Sequence, residues 1–419
     1  MAARRVSEAL ECPLRVTGTR AQPARVGLVL LAIVALAVTI RVLYTLLEAP
    51  WPPVALDDQF YFSALPKLIA DGHGFIAPFK YAFDGVVTPT AEHPPLYSLV
   101  LAAPAAVGLD SDDAFRLAGT LFGAGTVAVT FLIGRRLAGP RAGLIAAALA
   151  AIHPALVAAD GALMSETLYG LLTALMLLAA LRLLESPAAW TALALGAVAG
   201  LAALTRGEAL LLLPLVLVPT LRRPGGARAA ALAAVAFVVV LAPWTVRNWT
   251  VFDRPVLVAT NSGTAVAGAN CRETYSGSRL GGWWPGCIRE HPGNEAVHHA
   301  KALDDGVRYA REHAGRLPVV LAARLGRVWS VYDPFQIPEG RSPRVQKAGT
   351  LFFFLLVPLG LVGALRMPDR RTLWILLAPV VVVSLTALLT YGNVRFREPA
   401  EISAVLLAAV GIDALWRRR

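Results

Sequence analysis

The 419-residue chain is 56% hydrophobic and only 16% charged, too apolar and too sparsely charged to clothe a water-soluble globule of that size. Its formal charge of +11 does not mark a nucleic-acid binder, because the arginines stand in short clusters between apolar runs and not along one soluble face. Three cysteines exclude a disulfide scaffold and a Cys-rich metal site, which leaves an all-α polytopic membrane protein.

Residues 1–25 form a basic tail with Arg4, Arg5, Arg15, Arg20 and Arg25. The apolar run over 26–47 is too long for the h-region of a cleaved signal and lacks an A-x-A exit, so an uncleaved signal anchor with a cytoplasmic N-terminus is expected. A span needs about 20 apolar residues. The candidates are 26–48, 114–134, 142–159, 164–184, 188–205, 207–221, 227–246, 348–366, 372–390 and 398–416, which predicts about ten crossings.

The stretch 94–108 is short, opened by Pro94-Pro95 and interrupted by Pro104. As a full crossing it would send Arg135, Arg136 and Arg141, with Arg222, Arg223 and Arg228, to the outer side, against the positive-inside bias. It is therefore predicted to be re-entrant or interfacial. That choice makes those clusters, 366–371 and 417–419 cytoplasmic, and returns the C-terminus to the side of the N-terminus.

The chain then divides into the cytoplasmic tail 1–25, an N-terminal transmembrane module over 26–247 with a first external loop at 48–93, an external loop domain over 248–346, and C-terminal transmembrane helices over 347–419. In the first loop Phe60, Phe62, Leu65, Leu68 and Ile69 repeat at helical spacing and Gly72 and Gly74 stop them, which predicts amphipathic helices lying on the membrane surface. The second loop predicts a small mixed α/β segment: strand-like at 256–259, a Gly/Trp loop at 276–286, and helical at 295–313 and 317–331.

Under this topology Asp57, Asp58, His93, Asp160, Glu166, Arg206, Glu208, Arg247, Arg395 and Arg397 all fall on the external face. Acids follow no orientation rule, so their gathering on one side points to a site. A carboxylate can take a proton from a hydroxyl while arginines clamp an anionic leaving group. Each residue also has a plainer use. Asp58 suits the N-cap of a helix beginning near Gln59, which leaves Asp57 for chemistry. His93 either marks the turn before Pro94-Pro95 or joins the site. Glu166 either complements a helix dipole or faces a cavity.

Arg206 either pairs with Glu208 at a hairpin tip or binds phosphate, and Arg247, Arg395 and Arg397 either snorkel or bind phosphate. Trp283, Trp284 and Tyr275 suit stacking on a sugar ring or anchoring at the interface. Cys271 and Cys287 would close one bridge on an oxidising side, or stay two free thiols.

In order along the chain, Leu56-Asp57-Asp58-Gln59-Phe60-Tyr61, Glu92-His93-Pro94-Pro95-Leu96-Tyr97, Met164-Ser165-Glu166, Leu204-Thr205-Arg206-Gly207-Glu208, Pro243-Trp244-Thr245-Val246-Arg247-Asn248 and the late Arg395-Phe396-Arg397 resemble the GT-C glycosyltransferases. The nearest branch is the bacterial group related to protein O-mannosyltransferases and aminoarabinose transferases. Departures are Gly207 where relatives often have Pro, Asp58 where many have Glu, and Glu398 where an apolar residue is common. The large C-terminal soluble domain of oligosaccharyltransferases is not seen, which points away from en bloc oligosaccharide transfer.

The resemblance implies a GT-C-type bundle in the bacterial inner membrane, with its active site external. The enzyme would move a sugar from a polyprenyl-phosphate donor, with inversion, to a lipid, glycan or protein acceptor. It implies Asp57, Asp58 and Glu166 as the catalytic acids, Arg206, Arg247, Arg395 and Arg397 around the donor phosphate, and His93, Tyr61, Asn261 and Trp283 around substrate. No cofactor is demanded by any motif, and oxygen ligands from Asp57, Asp58 and Glu166 leave a divalent cation open. The competing class is a transporter or flippase of lipid-linked or anionic solutes, which would favour inverted repeats that this sequence lacks; an inactive structural subunit is the third.

Overall fold

The computed structural model describes residues 23–48, 57–367 and 369–417. The arginines of the tail before residue 23, Cys12, Leu56 and the terminal Arg418-Arg419 lie outside the described residues. Helix α1 (Pro23–Leu43) runs into a π turn at Tyr44–Glu48, and after the short helices α2 (Asp58–Ala70), α3 (Pro78–Asp84) and α4 (Leu96–Ala105) the chain enters the bundle. The bundle is built from α5 (Asp112–Ala138), α6 (Pro140–Ile152), α7 (Pro154–Asp160), α8 (Glu166–Glu185), α9 (Ala189–Ala203), α10 (Leu212–Leu221) and α11 (Gly226–Phe252). Helices α12 (Ser262–Ala269), α13 (Glu295–Glu312) and α14 (Leu317–Val328) form the second loop, and α15 (Pro343–Arg366), α16 (Arg370–Leu389) and α17 (Glu398–Trp416) complete the bundle.

Among the described residues, seven helical segments are long and apolar enough to cross a bilayer: Ala24–Glu48, Asp112–Ala138, Glu166–Glu185, Gly226–Phe252, Pro343–Arg366, Arg370–Leu389 and Val394–Trp416. An eighth is added if α6 and α7, bent by 59° at His153-Pro154, count as one. The apolar runs near 188–205 and 207–221 fold as shorter pieces, with α9 bringing the chain back from the far end of α8 to Arg206 beside Glu166. Helix α9 has 15 residues, and α10 has 10 residues preceded by a 3-10 turn at Gly207–Leu211. Fifteen residues rise about 22 Å, short of the roughly 30 Å hydrocarbon core.

The expectation of a mixed α/β segment is corrected, since no strand forms among the described residues beyond an isolated bridge between Ile76 and Pro89. The stretch 256–259 is irregular, bending at Leu257 and Val258, and side chains of α11 take its carbonyls. Asn248 donates to Val256 O (3.3 Å), Thr245 to Leu257 O (2.8 Å) and Trp244 Nε1 to Val258 O (2.6 Å). With those acceptors spent on a helix, no partner strand is needed.

The core is centred on α8 and α17, buried along most of their length. A charged pin crosses it: Arg41 of α1 meets Asp160 of α7 at 2.6 Å and donates to Ala151 O at 3.0 Å, while the Thr167 hydroxyl donates to Asp160 at 2.6 Å. Gly123 of α5 makes room for it, because a Cβ there would stand 2.0 Å from the Asp160 carboxylate and 2.5 Å from Arg41 Nε.

Candidate active site

The site collects where several elements end. Asp57 caps α2, Glu166 opens α8, Arg206 follows α9, and Arg395 sits in a 3-10 turn, Val394–Arg397, just before α17. The cap falls on Asp57 and not on Asp58 as expected: one Asp57 oxygen accepts the backbone N–H of Gln59 (3.0 Å) and of Phe60 (3.3 Å). Capping by Asp57 places Asp58 in the first helical turn, facing inward.

Arg395 is the hub. Its Nη2 meets Asp58 Oδ2 at 2.6 Å, its Nε meets Glu166 Oε1 at 2.9 Å and its Nη1 meets Glu339 Oε2 at 3.1 Å. Glu166 is shared with Arg206, whose Nη1 lies 2.7 Å from the same oxygen and whose Nε pairs with Glu208. His93 Nε2 stands 3.4 Å from the other Asp58 oxygen, the Asn261 amide lies 3.2 Å from its Nδ1, and Tyr61 packs edge-on against the ring at 4.6 Å. Behind this cluster the buried Arg341 pairs with Glu398, the acidic residue that departs from the family pattern.

Glu295 of α13 holds the chain ahead of His93. Its carboxylate accepts Thr90 Oγ1 (2.6 Å), Ala91 N (2.7 Å) and Thr260 Oγ1 (2.8 Å).

The structure does not bring Arg397 and Arg247 into the cluster. In a 3-10 turn, residues two apart diverge by about 240°. Arg397 accordingly points inward, paired with Glu401 at 2.6 Å, bonded to Ser330 Oγ at 2.8 Å and lying over Phe353 at 4.0 Å. Glu401 in turn meets His153 Nε2 at 3.2 Å, at the bend between α6 and α7. Arg247 donates to the carbonyls of Thr90 (2.8 Å) and Phe75 (3.1 Å) and lies over Trp244 at 4.8 Å. Both serve as posts for loops and helices. Trp283, partly exposed, donates to Thr264 O at 3.1 Å, and a disulfide joins Cys271 to Cys287.

Charge and burial set different protonation tendencies on neighbouring acids. Burial raises the Asp57 pKa, against the two N–H groups it caps. Burial also acts upward on Asp58, but the Arg395 charge and then His93 outweigh it and hold that carboxyl well below the usual range. Burial lowers His93, yet Asp58 reverses the sign and raises it. Burial pushes Glu92 up to about 7, with His93 opposing and Glu295 adding to the rise. For Arg206 the burial penalty is overcome by Glu166 and Glu208, which raise it.

Residues 92–246 match the model of the family described as dolichyl-phosphate-mannose-protein mannosyltransferase. No curated protein sequence matches the chain. Among solved structures, the oligosaccharyltransferase AglB of Archaeoglobus fulgidus, in complex with an inhibitory peptide and a dolichol-phosphate, superposes with a TM-score of 0.57 at 15% identity. That match covers 94% of this chain and 50% of AglB. The apo form of the Archaeoglobus fulgidus oligosaccharyltransferase gives 0.57 at 15% identity, covering 93% and 51%. By fold the chain is similar to these oligosaccharyltransferase structures.

The chain spans about half the length of these two solved structures. Within the bundle three charged residues had no motif to announce them: Glu339 in the cluster, Arg341 behind it and Glu401 against Arg397. The only sequence signal for the first two is a charged Glu339-Gly340-Arg341 triplet in a short stretch between apolar elements. Glu92 was visible in the Glu-His-Pro-Pro motif, but only its burial marks it as a titrating group near neutrality.

Proposed function

We propose that this protein transfers a sugar from a polyprenyl-phosphate donor to an acceptor hydroxyl at the external face of a bacterial inner membrane, with both termini cytoplasmic. The observation that carries this proposal is Arg395, a guanidinium fork held between Asp58 and Glu166 at the mouth of the bundle, with Arg206 beside it. A fork so placed suits bidentate recognition of phosphate.

In the proposed reaction the acceptor oxygen attacks the anomeric carbon as its proton passes to a carboxylate. The bond from that carbon to the phosphate oxygen breaks, and the electron pair leaves on the phosphate, where Arg395 and Arg206 stabilise the charge. Asp57 is the better base of the adjacent pair. One of its oxygens caps α2, no hydrogen bond to the other is found among the described residues, and burial raises its pKa. Asp58, held ionised by Arg395 and His93, orients the guanidinium. Glu92, half-buried and with its pKa pushed up to about 7, is the rival base.

Purified protein in lipid nanodiscs, incubated with a panel of polyprenyl-phosphate sugars, tests the proposal. Consumption of one donor that is lost in Arg395→Lys supports it; uptake into vesicles without donor turnover sinks it in favour of transport.

A further inference from the structure

If Arg395 binds the donor phosphate, the three carboxylates around it compete for its N–H groups, because each of its nitrogens already faces one. The three differ sharply. Glu166 has a side chain only 1% exposed and is shared with Arg206, so uncovering it would strand a buried charge, which is costly. Asp58 is 30% exposed and is also held by His93. Glu339 is 43% exposed, and Arg395 is its only polar contact among the described residues. Exposed pairs of that kind are weak and easily exchanged.

The chain around Glu339 suits such an exchange. Residues 329–342 carry no regular secondary structure, and Val331, Phe335 and Ile337 stand exposed along it. Immediately after Glu339 the backbone turns through Gly340 at φ +69°, where a Cβ would stand 2.1 Å from the Gln59 amide. Arg341, buried against Glu398, then anchors the strap. The carboxylate thus sits on the free side of a fixed turn, where it can swing away while the turn stays put.

We infer that Glu339 is the exchangeable carboxylate of this site: it occupies the donor phosphate's place on Arg395 in the empty enzyme and yields it when the lipid phosphate arrives. Glu339 is a positioning residue, keeping the guanidinium aligned between turnovers and screening it from other anions. The inference rests on the phosphate assignment made above.

Binding of farnesyl phosphate, with farnesol as the uncharged control, to the full chain in nanodiscs separates the two. Glu339→Gln should bind farnesyl phosphate about fivefold more tightly, the shift corresponding to one exposed pair. Its farnesol affinity and thermal midpoint should stay unchanged, and KM for the sugar donor should fall more than kcat changes. If Glu339→Gln binds farnesyl phosphate no better than the parent while Arg395→Lys loses it, the exchange is wrong and the phosphate assignment stands. If Arg395→Lys binds as the parent does, the phosphate assignment itself is overturned, and the exchange with it.

Discussion

Replacing Arg395 with lysine keeps one positive charge and removes the fork. In the parent, three nitrogens face three carboxylates: Glu166 at 2.9 Å, Asp58 at 2.6 Å and Glu339 at 3.1 Å. A single ammonium would stay with the least exposed of them, Glu166, which also keeps Arg206 at 2.7 Å. No buried carboxylate is therefore left bare. The losses are the exposed contact to Glu339 and the partly exposed one to Asp58, together about 1–2 kcal/mol of stability. Transfer should suffer far more, by about 100- to 1,000-fold, because an aligned donor to the leaving oxygen is lost. Donor consumption in nanodiscs, with thermal unfolding measured on the same sample, reads both quantities. A variant within about threefold of the parent in kcat/KM would refute the role given to the fork.

Three further outcomes follow from the same contacts. Asp57→Asn retains a side-chain oxygen able to cap α2, so the protein should unfold as the parent does while transfer falls about 100- to 10,000-fold; substantial activity would remove Asp57 as base. Glu401→Leu leaves Arg397 buried without its carboxylate and should cost about 3–5 kcal/mol, much of it recovered in Arg397→Met/Glu401→Leu; thermal unfolding of both would show whether the pair is a structural post. His93 and Glu92 both have folded-state pKa values raised above their ordinary 6.5 and 4.5, so each stabilises fully below its ordinary value and loses that contribution as pH rises through its folded value, about 7 for Glu92. The unfolding midpoint should therefore decline between about pH 5 and 8, and less steeply in Glu92→Gln; parallel profiles would contradict the burial argument.

The membrane character, the helical class and the cluster of motif residues were legible in the sequence because they depend on composition and local spacing. The lengths of the helices were not. Hydropathy cannot distinguish a 15-residue helix such as α9 from a run whose flanks are also helical, nor see that Gly207 starts a tight turn. The strand expected at 256–259 failed because its carbonyls are bonded by Trp244, Thr245 and Asn248, a tertiary fact invisible to β-propensity.

The cap of α2 falls on Asp57 and not Asp58 through a helix start displaced by one residue, which is finer than a sequence reading resolves. Arg395 and Arg397 look equivalent in an Arg-x-Arg motif, yet the 3-10 turn that carries them sends one to the carboxylate cluster and the other to Glu401. Glu339 and Arg341 were missed because an irregular segment has no period to read.

Glu295 grips two stretches of chain that are far apart in sequence, one leading to His93 and the other to Asn261, with a single side chain from α13. Loss of that one carboxylate would therefore release both stretches at once, and with them the contact between His93 and Asn261.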